Sequence, residues 1–159
     1  MRSAIKEKSI LDMDMVFDTF PKKIYPFDFE TYFQSDMVCE IVTTNCETGK
    51  AEYMTEQNDP DRLMKLCRAS SSMPLLSPIV NIDGVPYLDG GLADSVPVRR
   101  ALKLENEKIV LCLQGIPDIV KNRFQRELQS CIDVHIRNIQ ILFMLRFTAT
   151  MCIIRQWNW

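Results

Sequence analysis

The sequence is poor in the residues on which several common kinds of site depend. Its 159 residues include one histidine and six cysteines, and no two cysteines form a Cys-x-x-Cys pair. Zinc sites made of histidine and cysteine need closely spaced ligands, so we expect no metal. No apolar run is long enough to span a membrane, and the N-terminus lacks the layout of a signal peptide. We therefore expect reduced thiols and a cytoplasmic location.

The sequence also lacks an excess of charge of either sign. The net charge is −2, which gives no reason to expect nucleic acid or an anionic membrane surface as a partner. Apolar residues make up 47% and charged residues 25%, as in an ordinary globular chain. The length allows one domain at most, and the sequence does not indicate an oligomeric state.

The most informative stretch of the chain is Tyr87–Pro97. Its residues predict the end of a strand, a glycine turn that carries an acid, and the start of a helix. Gly90 and Gly91 allow a sharp bend that places the Asp89 carboxylate at the end of a strand. Acids with functional roles in α/β proteins commonly lie there. An ordinary Asp-Gly turn is the alternative interpretation of the same residues.

The residues before this stretch predict two hairpins and a helix. Residues 37–44 and 50–54 form antiparallel strands, and residues 78–82 and 85–88 pair around the turn Asp83-Gly84. Asp59 and Pro60 begin a helix that ends near Ser70. A further helix follows Pro97, and residues 108–111 form a buried strand, so the fold class is α/β with many strands.

Two segments have open interpretations. Ser70, Ser71 and Ser72 could serve as nucleophiles, but no neighbouring base or oxyanion donor is encoded, so capping or close packing is favoured. A short helix from Ser9 to Phe17, stopped by Pro21, precedes the aromatic segment 25–33. That segment predicts core packing, with a ligand-binding wall as the alternative.

Three spaced motifs together resemble the C-terminal catalytic block of the patatin-like phospholipases, and most closely their bacterial branch. They are the segments 68–74, 82–91 and 94–97, which end in Met73-Pro74, Asp89-Gly90-Gly91 and Val96-Pro97. The resemblance covers residues 9–111 and implies part of a three-layer α/β/α fold. It also implies a Ser-Asp dyad that hydrolyses phospholipid or other acyl esters without a cofactor, at a location peripheral to a membrane. Asp89 would be the catalytic acid, Gly90 and Gly91 would shape its turn, and Ser70–Ser72 would line the site.

The sequence departs from the family pattern at its front. None of the five glycines forms the Gly-x-Ser-x-Gly motif or the glycine-rich oxyanion loop, which the resemblance places before Met1. We therefore expect a fragment of a serine acyl hydrolase that is inactive alone. A non-catalytic binding or assembly module is the alternative.

Residues 112–159 lie beyond the resemblance and form an atypical tail, separate from the domain portion 1–111. Codons that encode Met151–Trp159 can also encode Val-Tyr-Asn-Gln-Thr-Met-Glu-Leu in another frame, which resembles the bacterial branch. Similar matches in the same frame arise over Arg137–Leu145 and Pro117–Arg123. A frameshift near residues 111–114 is the hypothesis, and the alternatives are a disordered tail or an authentic helix over Ile136–Ile154.

Overall fold

A computed structural model describes residues 12–104, 109–113, 139–143 and 152–155, with side chains up to Ile109. The chain divides into two compact units. The first contains every element from the first helix through the turn after Asp89, together with the last strand. The second contains the helix after Pro97 and two strands.

In the residues that the structure describes, the first unit consists of three helices and five strands. Its helices are α1 (Met15–Ile24), α2 (Phe29–Gln34) and α3 (Pro60–Ser70). Its strands are β1 (Val38–Asn45), β2 (Ala51–Met54), β3 (Val80–Ile82), β4 (Val85–Asp89) and β7 (Cys152–Arg155). A 3₁₀ turn, Gly90–Leu92, follows β4 directly.

The sheet of the first unit has the order β2-β1-β4-β3, and all of these neighbours are antiparallel. Strand β7 pairs with the first half of β1, antiparallel to it. The register places Thr43 of β1 opposite Glu52 of β2 on one side and opposite Asp89 of β4 on the other. Directly opposed residues share a face of the sheet, so these three side chains lie on one face.

Helix α3 covers that face and supplies three of the seven core side chains. Its first turn is capped as expected, because the Asp59 carboxylate accepts from the N–H groups of Asp61 and Arg62. The core consists of apolar side chains from this helix and from three strands: Ile41, Leu63, Leu66, Ala69, Val80, Ile82 and Tyr87. Both predicted hairpins and this helix are confirmed.

The prediction for the first helix was wrong at its end. Helix α1 continues through Pro21 to Ile24, with π-type bonding in which the Tyr25 N–H donates to the Phe20 carbonyl oxygen (2.9 Å). In an α-helix the Pro21 ring would clash with the carbonyl four residues earlier, and the wider turn relieves that clash. The predicted start at Ser9 lies outside the described residues.

The aromatic segment 25–33 divides between core and surface. Phe29, Tyr32 and Phe33 pack against the core, as expected for core anchors. Tyr25 and Phe27 are exposed instead. They belong to the non-helical segment before α2, where Tyr25 stacks on Phe20 of α1 and Phe27 contacts the rings of Phe29 and Tyr32 of α2, so each is covered on one side only.

The second unit contains helix α4 (Val98–Lys103) and strands β5 (Ile109–Leu113) and β6 (Ile139–Phe143), which pair in parallel. Val98 and Ala101 are buried in α4, whereas Leu102 is half-buried. A helix over Ile136–Ile154 was the alternative for this region. Strands β6 and β7 lie there instead, so that alternative is wrong for residues 139–143 and 152–154. The boundary after Leu111 falls within β5, and the frameshift stays a prediction.

Candidate active site

Asp89 ends β4 and is held there through its main chain. Its N–H donates to the Ser72 carbonyl oxygen (2.9 Å), at the end of α3. The hydroxyl of Thr44, on the neighbouring strand, donates to the Asp89 carbonyl oxygen (2.7 Å). Only 7% of the Asp89 surface is exposed. The backbone of this acid is therefore fixed from a helix end on one side and from β1 on the other.

The two glycines after Asp89 are constrained to different degrees. A Cβ atom on Gly90 would lie 2.2 Å from the Val42 carbonyl oxygen, so only glycine fits against β1. A Cβ atom on Gly91 would lie 3.1 Å from the Oδ1 atom of Asp89, a tight contact with the acid itself. Gly90 thus packs against the backbone of β1, and Gly91 lies beside the Asp89 carboxylate.

The Asp89 carboxylate has one bonded oxygen and one open oxygen. The Gly91 N–H donates to Oδ1 (2.7 Å), as in an N-cap of the 3₁₀ turn. In the described part of the chain, no hydrogen-bond donor contacts the second carboxylate oxygen, Oδ2. A hydroxyl group could therefore reach Oδ2 without displacing a protein donor.

Burial raises the pKa of Asp89, and the Gly91 N–H acts against it by stabilising the charged form. A carboxylate with a raised pKa is a stronger proton acceptor than a free aspartate. The arrangement therefore suits a base that takes a proton from a neighbouring hydroxyl.

The three serines lie at the end of α3, and they differ in their surroundings. Ser72 is fully buried, and its hydroxyl donates to the Arg68 carbonyl oxygen (2.8 Å). Ser70 is also buried, whereas Ser71 is half-buried and caps the helix through its N–H. Ser72 is thus brought next to Asp89 by its main chain, with its hydroxyl turned to the helix.

The sequence did not predict three residues that hold the Asp89 turn, which we define as Asp89–Asp94: they are Val42, Thr44 and Tyr53, and Val42 is the residue against which Gly90 packs. Thr44 binds the first residue of the turn, as described above. The hydroxyl of Tyr53, on β2, donates to the Asp94 carboxylate at its last residue. Asp94 stood within a recognised motif, but a single sequence gives no signal for its partner on a distant strand.

A second group of polar side chains lies along the same sheet, on the face that α3 covers. The Tyr87 hydroxyl donates to Glu52 Oε2 (2.7 Å), and the Asn45 amide donates to Glu52 Oε1 (2.7 Å). Burial and the neighbouring Glu52 carboxylate raise the pKa of Tyr87 to about 12. These residues satisfy one another, which explains how a carboxylate is tolerated beside the core.

The part of the chain that the structure describes contains no group of three histidine, cysteine or acidic side chains arranged to hold a metal ion. None of its helices combines the length and the apolar character that crossing a membrane requires.

The fold and this acid-bearing turn define a mixed α/β protein with an aspartate held at a strand end. The sequence profile described as patatin-like phospholipase matches residues 7–102, more than half of the chain. The chain therefore belongs to the patatin-like phospholipase family. Its described helices and strands are consistent with part of a patatin fold. Among curated proteins, none matches the chain.

Proposed function

We propose that the chain carries the acid half of a Ser-Asp acyl-hydrolase site, with Asp89 as the base toward a serine hydroxyl. The observation that supports this role is the state of its carboxylate. One oxygen is held by the Gly91 N–H, while the other receives no donor from the described residues and stays open. A base in a dyad needs this combination, because the fixed oxygen sets the direction of the open one.

The proposed substrate class is a phospholipid or another acyl ester, and the reaction passes through an acyl-enzyme on the serine. The family supports this class, since its members act on lipids. Asp89 would take the hydroxyl proton as the serine attacks the ester carbonyl, and would return it to the leaving alcohol. No metal or organic cofactor takes part in this chemistry. We propose the cytoplasm as the location, peripheral to a membrane that presents the ester.

The 159 residues contain neither the Gly-x-Ser-x-Gly elbow nor a glycine-rich oxyanion loop. Asp89 alone cannot supply a nucleophile or the fixed N–H donors that an oxyanion needs. We therefore expect no ester hydrolysis by this chain by itself. Fluorophosphonate labelling that depends on Ser70, Ser71 or Ser72 would overturn this expectation.

A complementation experiment tests the role of Asp89 directly. The full chain is fused behind the N-terminal part of a patatin-like enzyme that ends before its own catalytic aspartate. Hydrolysis of a p-nitrophenyl acyl ester should appear in the fusion and fall about 100-fold or more with Asp89→Asn, as for loss of a general base.

Asp83→Asn is the matched control for this experiment. Asp83 also precedes a glycine in a turn of the same hairpin, but it is exposed and pairs with Arg62 (2.7 Å). The control should keep the activity of the fusion. Equal activity of the Asp89→Asn and Asp83→Asn fusions would refute the assignment of Asp89.

The alternative of a non-catalytic assembly module is favoured by one observation, the exposed apolar surface of α1 and the residues after it. The exposed side chains there are Met15, Val16, Phe20, Ile24, Tyr25 and Phe27. Exposed apolar side chains that form a patch mark an interaction site or an aggregation liability. Sedimentation velocity of the native chain and of Phe20→Ser, Ile24→Ser separates the two functions. Specific association that this variant abolishes, with no activity in the fusion, would favour the assembly module.

A further inference from the structure

The Asp89 turn is closed at its far end by hydrogen bonds to the Gly90 carbonyl and to the Asp94 carboxylate. The N–H groups of Ala93 and Asp94 donate to the Gly90 carbonyl oxygen at 3.2 and 2.9 Å. The Asp94 carboxylate accepts the hydroxyl of Tyr53. The last residue of the turn is therefore bound both to the start of the turn and to a strand of the sheet.

Tyr53 is positioned for this contact by the register of the sheet. Tyr53 of β2 lies opposite Val42 of β1. The carbonyl of Val42 is the group against which Gly90 packs. Gly90 of the turn therefore contacts β1, β1 pairs with β2, and the Tyr53 hydroxyl of β2 returns to the turn at Asp94.

We propose that the hydrogen bond from Tyr53 to Asp94 is a positioning device that fixes the Asp89 turn. The inference rests on the proposed function, in which Asp89 is the functional acid. Tyr53 touches no reacting atom in this proposal. It is a positioning residue that acts through the turn.

The physical reason is that the turn needs an anchor at each end. At its start, the Ser72 carbonyl and the Thr44 hydroxyl hold the main chain of Asp89. Gly90 and Gly91 follow, and two successive glycines have the largest backbone freedom in the unfolded or loosened state. Without an anchor at Asp94, Gly91 can move and its N–H can leave Oδ1 of the acid. The second anchor therefore keeps the donor on the carboxylate.

Tyr87 provides a matched control for Tyr53. Each tyrosine lies on a strand of the same sheet and donates its hydroxyl to a carboxylate, Tyr53 to Asp94 and Tyr87 to Glu52. Glu52 belongs to β2, so the Tyr87 bond joins two parts of the sheet and does not reach the end of the turn. Replacing either tyrosine by phenylalanine removes one hydroxyl and keeps the ring.

Amide hydrogen exchange of the full chain, followed by NMR, measures the effect at the turn. Tyr53→Phe should raise the exchange rates of the Gly91 and Asp94 amides about tenfold relative to the core amides, the effect of losing one hydrogen bond. Tyr87→Phe should leave the exchange rates of these two amides, relative to those of the core amides, as they are in the native protein. If both variants change Gly91 and Asp94 equally, the proposal is wrong.

Substitutions at Asp94 give a second test that does not depend on the folding of the Tyr53 variant. Asp94→Asn keeps an acceptor oxygen for the Tyr53 hydroxyl, whereas Asp94→Ala removes it. The Gly91 amide should exchange at its native rate in Asp94→Asn. In Asp94→Ala it should exchange about tenfold faster. Equal protection in both variants would overturn the proposal.

The carboxyl titration of Asp89 gives a readout that separates positioning from general destabilisation. Since the Gly91 N–H stabilises the charged form, its loss in Tyr53→Phe should move the Asp89 titration to higher pH. An unchanged titration would contradict the proposal. Because neither readout needs ester hydrolysis, an inactive fusion with a shifted titration would refute the proposed function and leave the role of Tyr53 supported.

Discussion

Gly90 lies directly against the carbonyl oxygen of Val42, so closely that a Cβ atom on the glycine would be 2.2 Å from that oxygen. The contact joins the turn after Asp89 to the central strand β1. Because the clashing atom belongs to the backbone, it cannot rotate away as a side chain could. The close approach is therefore a constraint on the sequence that is independent of any catalytic role.

Gly90→Ala should destabilise the protein more than Gly91→Ala. The first variant forces β1 and the turn apart, and overpacking of this kind costs about 1–3 kcal/mol or more. The second meets only the Asp89 side chain, at 3.1 Å. Urea unfolding of both variants measures the difference. A Gly90→Ala protein as stable as Gly91→Ala would show that the turn does not pack against Val42 as described.

Thr44→Val should cost more stability than Thr43→Val, although the two threonines are adjacent on β1. The Thr44 hydroxyl donates to the buried carbonyl of Asp89 at 2.7 Å, whereas the Thr43 hydroxyl is 3.5 Å from the Glu52 carbonyl oxygen. Valine matches threonine in shape but removes the donor, which leaves the Asp89 carbonyl unsatisfied at a cost of about 1–3 kcal/mol. A bond of 3.5 Å contributes little.

Unfolding midpoints of these two valine variants provide the measurement, with the native protein as reference. Equal losses of stability would mean that the hydroxyl bond to Asp89 contributes nothing beyond the general effect of replacing a buried threonine.

Stability should depend on pH through Asp89, with a sign that follows from its raised pKa. The folded state binds the Asp89 proton more tightly than the unfolded state, so this group favours folding below its unfolded pKa. That contribution is lost as the pH rises through the folded value. Asp89→Asn removes the cost of the buried charge, and should therefore be more stable than the native protein at neutral pH.

The difference between the Asp89→Asn and native proteins should narrow as the pH is lowered, because the native carboxyl group becomes neutral. Thermal unfolding between acidic and neutral pH checks this dependence. Asp83→Asn is the control at an exposed carboxylate of the same hairpin. A destabilised Asp89→Asn at neutral pH would indicate that favourable bonds of the charged form outweigh its burial.

The local parts of this fold follow from short sequence signals, and the long-range contacts do not. The helix cap at Asp59-Pro60 depends on neighbouring residues only, as does the hairpin at Asp83-Gly84, where both residues have positive φ (52° and 87°). Asp89 was recognised because its glycines stand beside it. Val42, Tyr53 and Thr44 were missed because each reaches the Asp89 turn from a strand that is distant in sequence. Helix α1 was predicted too short because the rule for proline assumes α-type bonding, whereas this helix is of π type.

Tyr87 should titrate at higher pH than an exposed tyrosine, because burial and the Glu52 carboxylate raise its pKa to about 12. Of the four tyrosines in the sequence, it is the one buried among the residues of the core. Absorbance at alkaline pH follows the phenolate directly. Tyr87→Phe should remove the component that ionises near pH 12, whereas Tyr53→Phe should retain it. The folded state holds Tyr87 neutral, so this contribution to stability is complete below pH 10 and is lost as the pH rises toward 12. A titration in which all tyrosines ionise together near pH 10 would contradict the buried Tyr87–Glu52 bond.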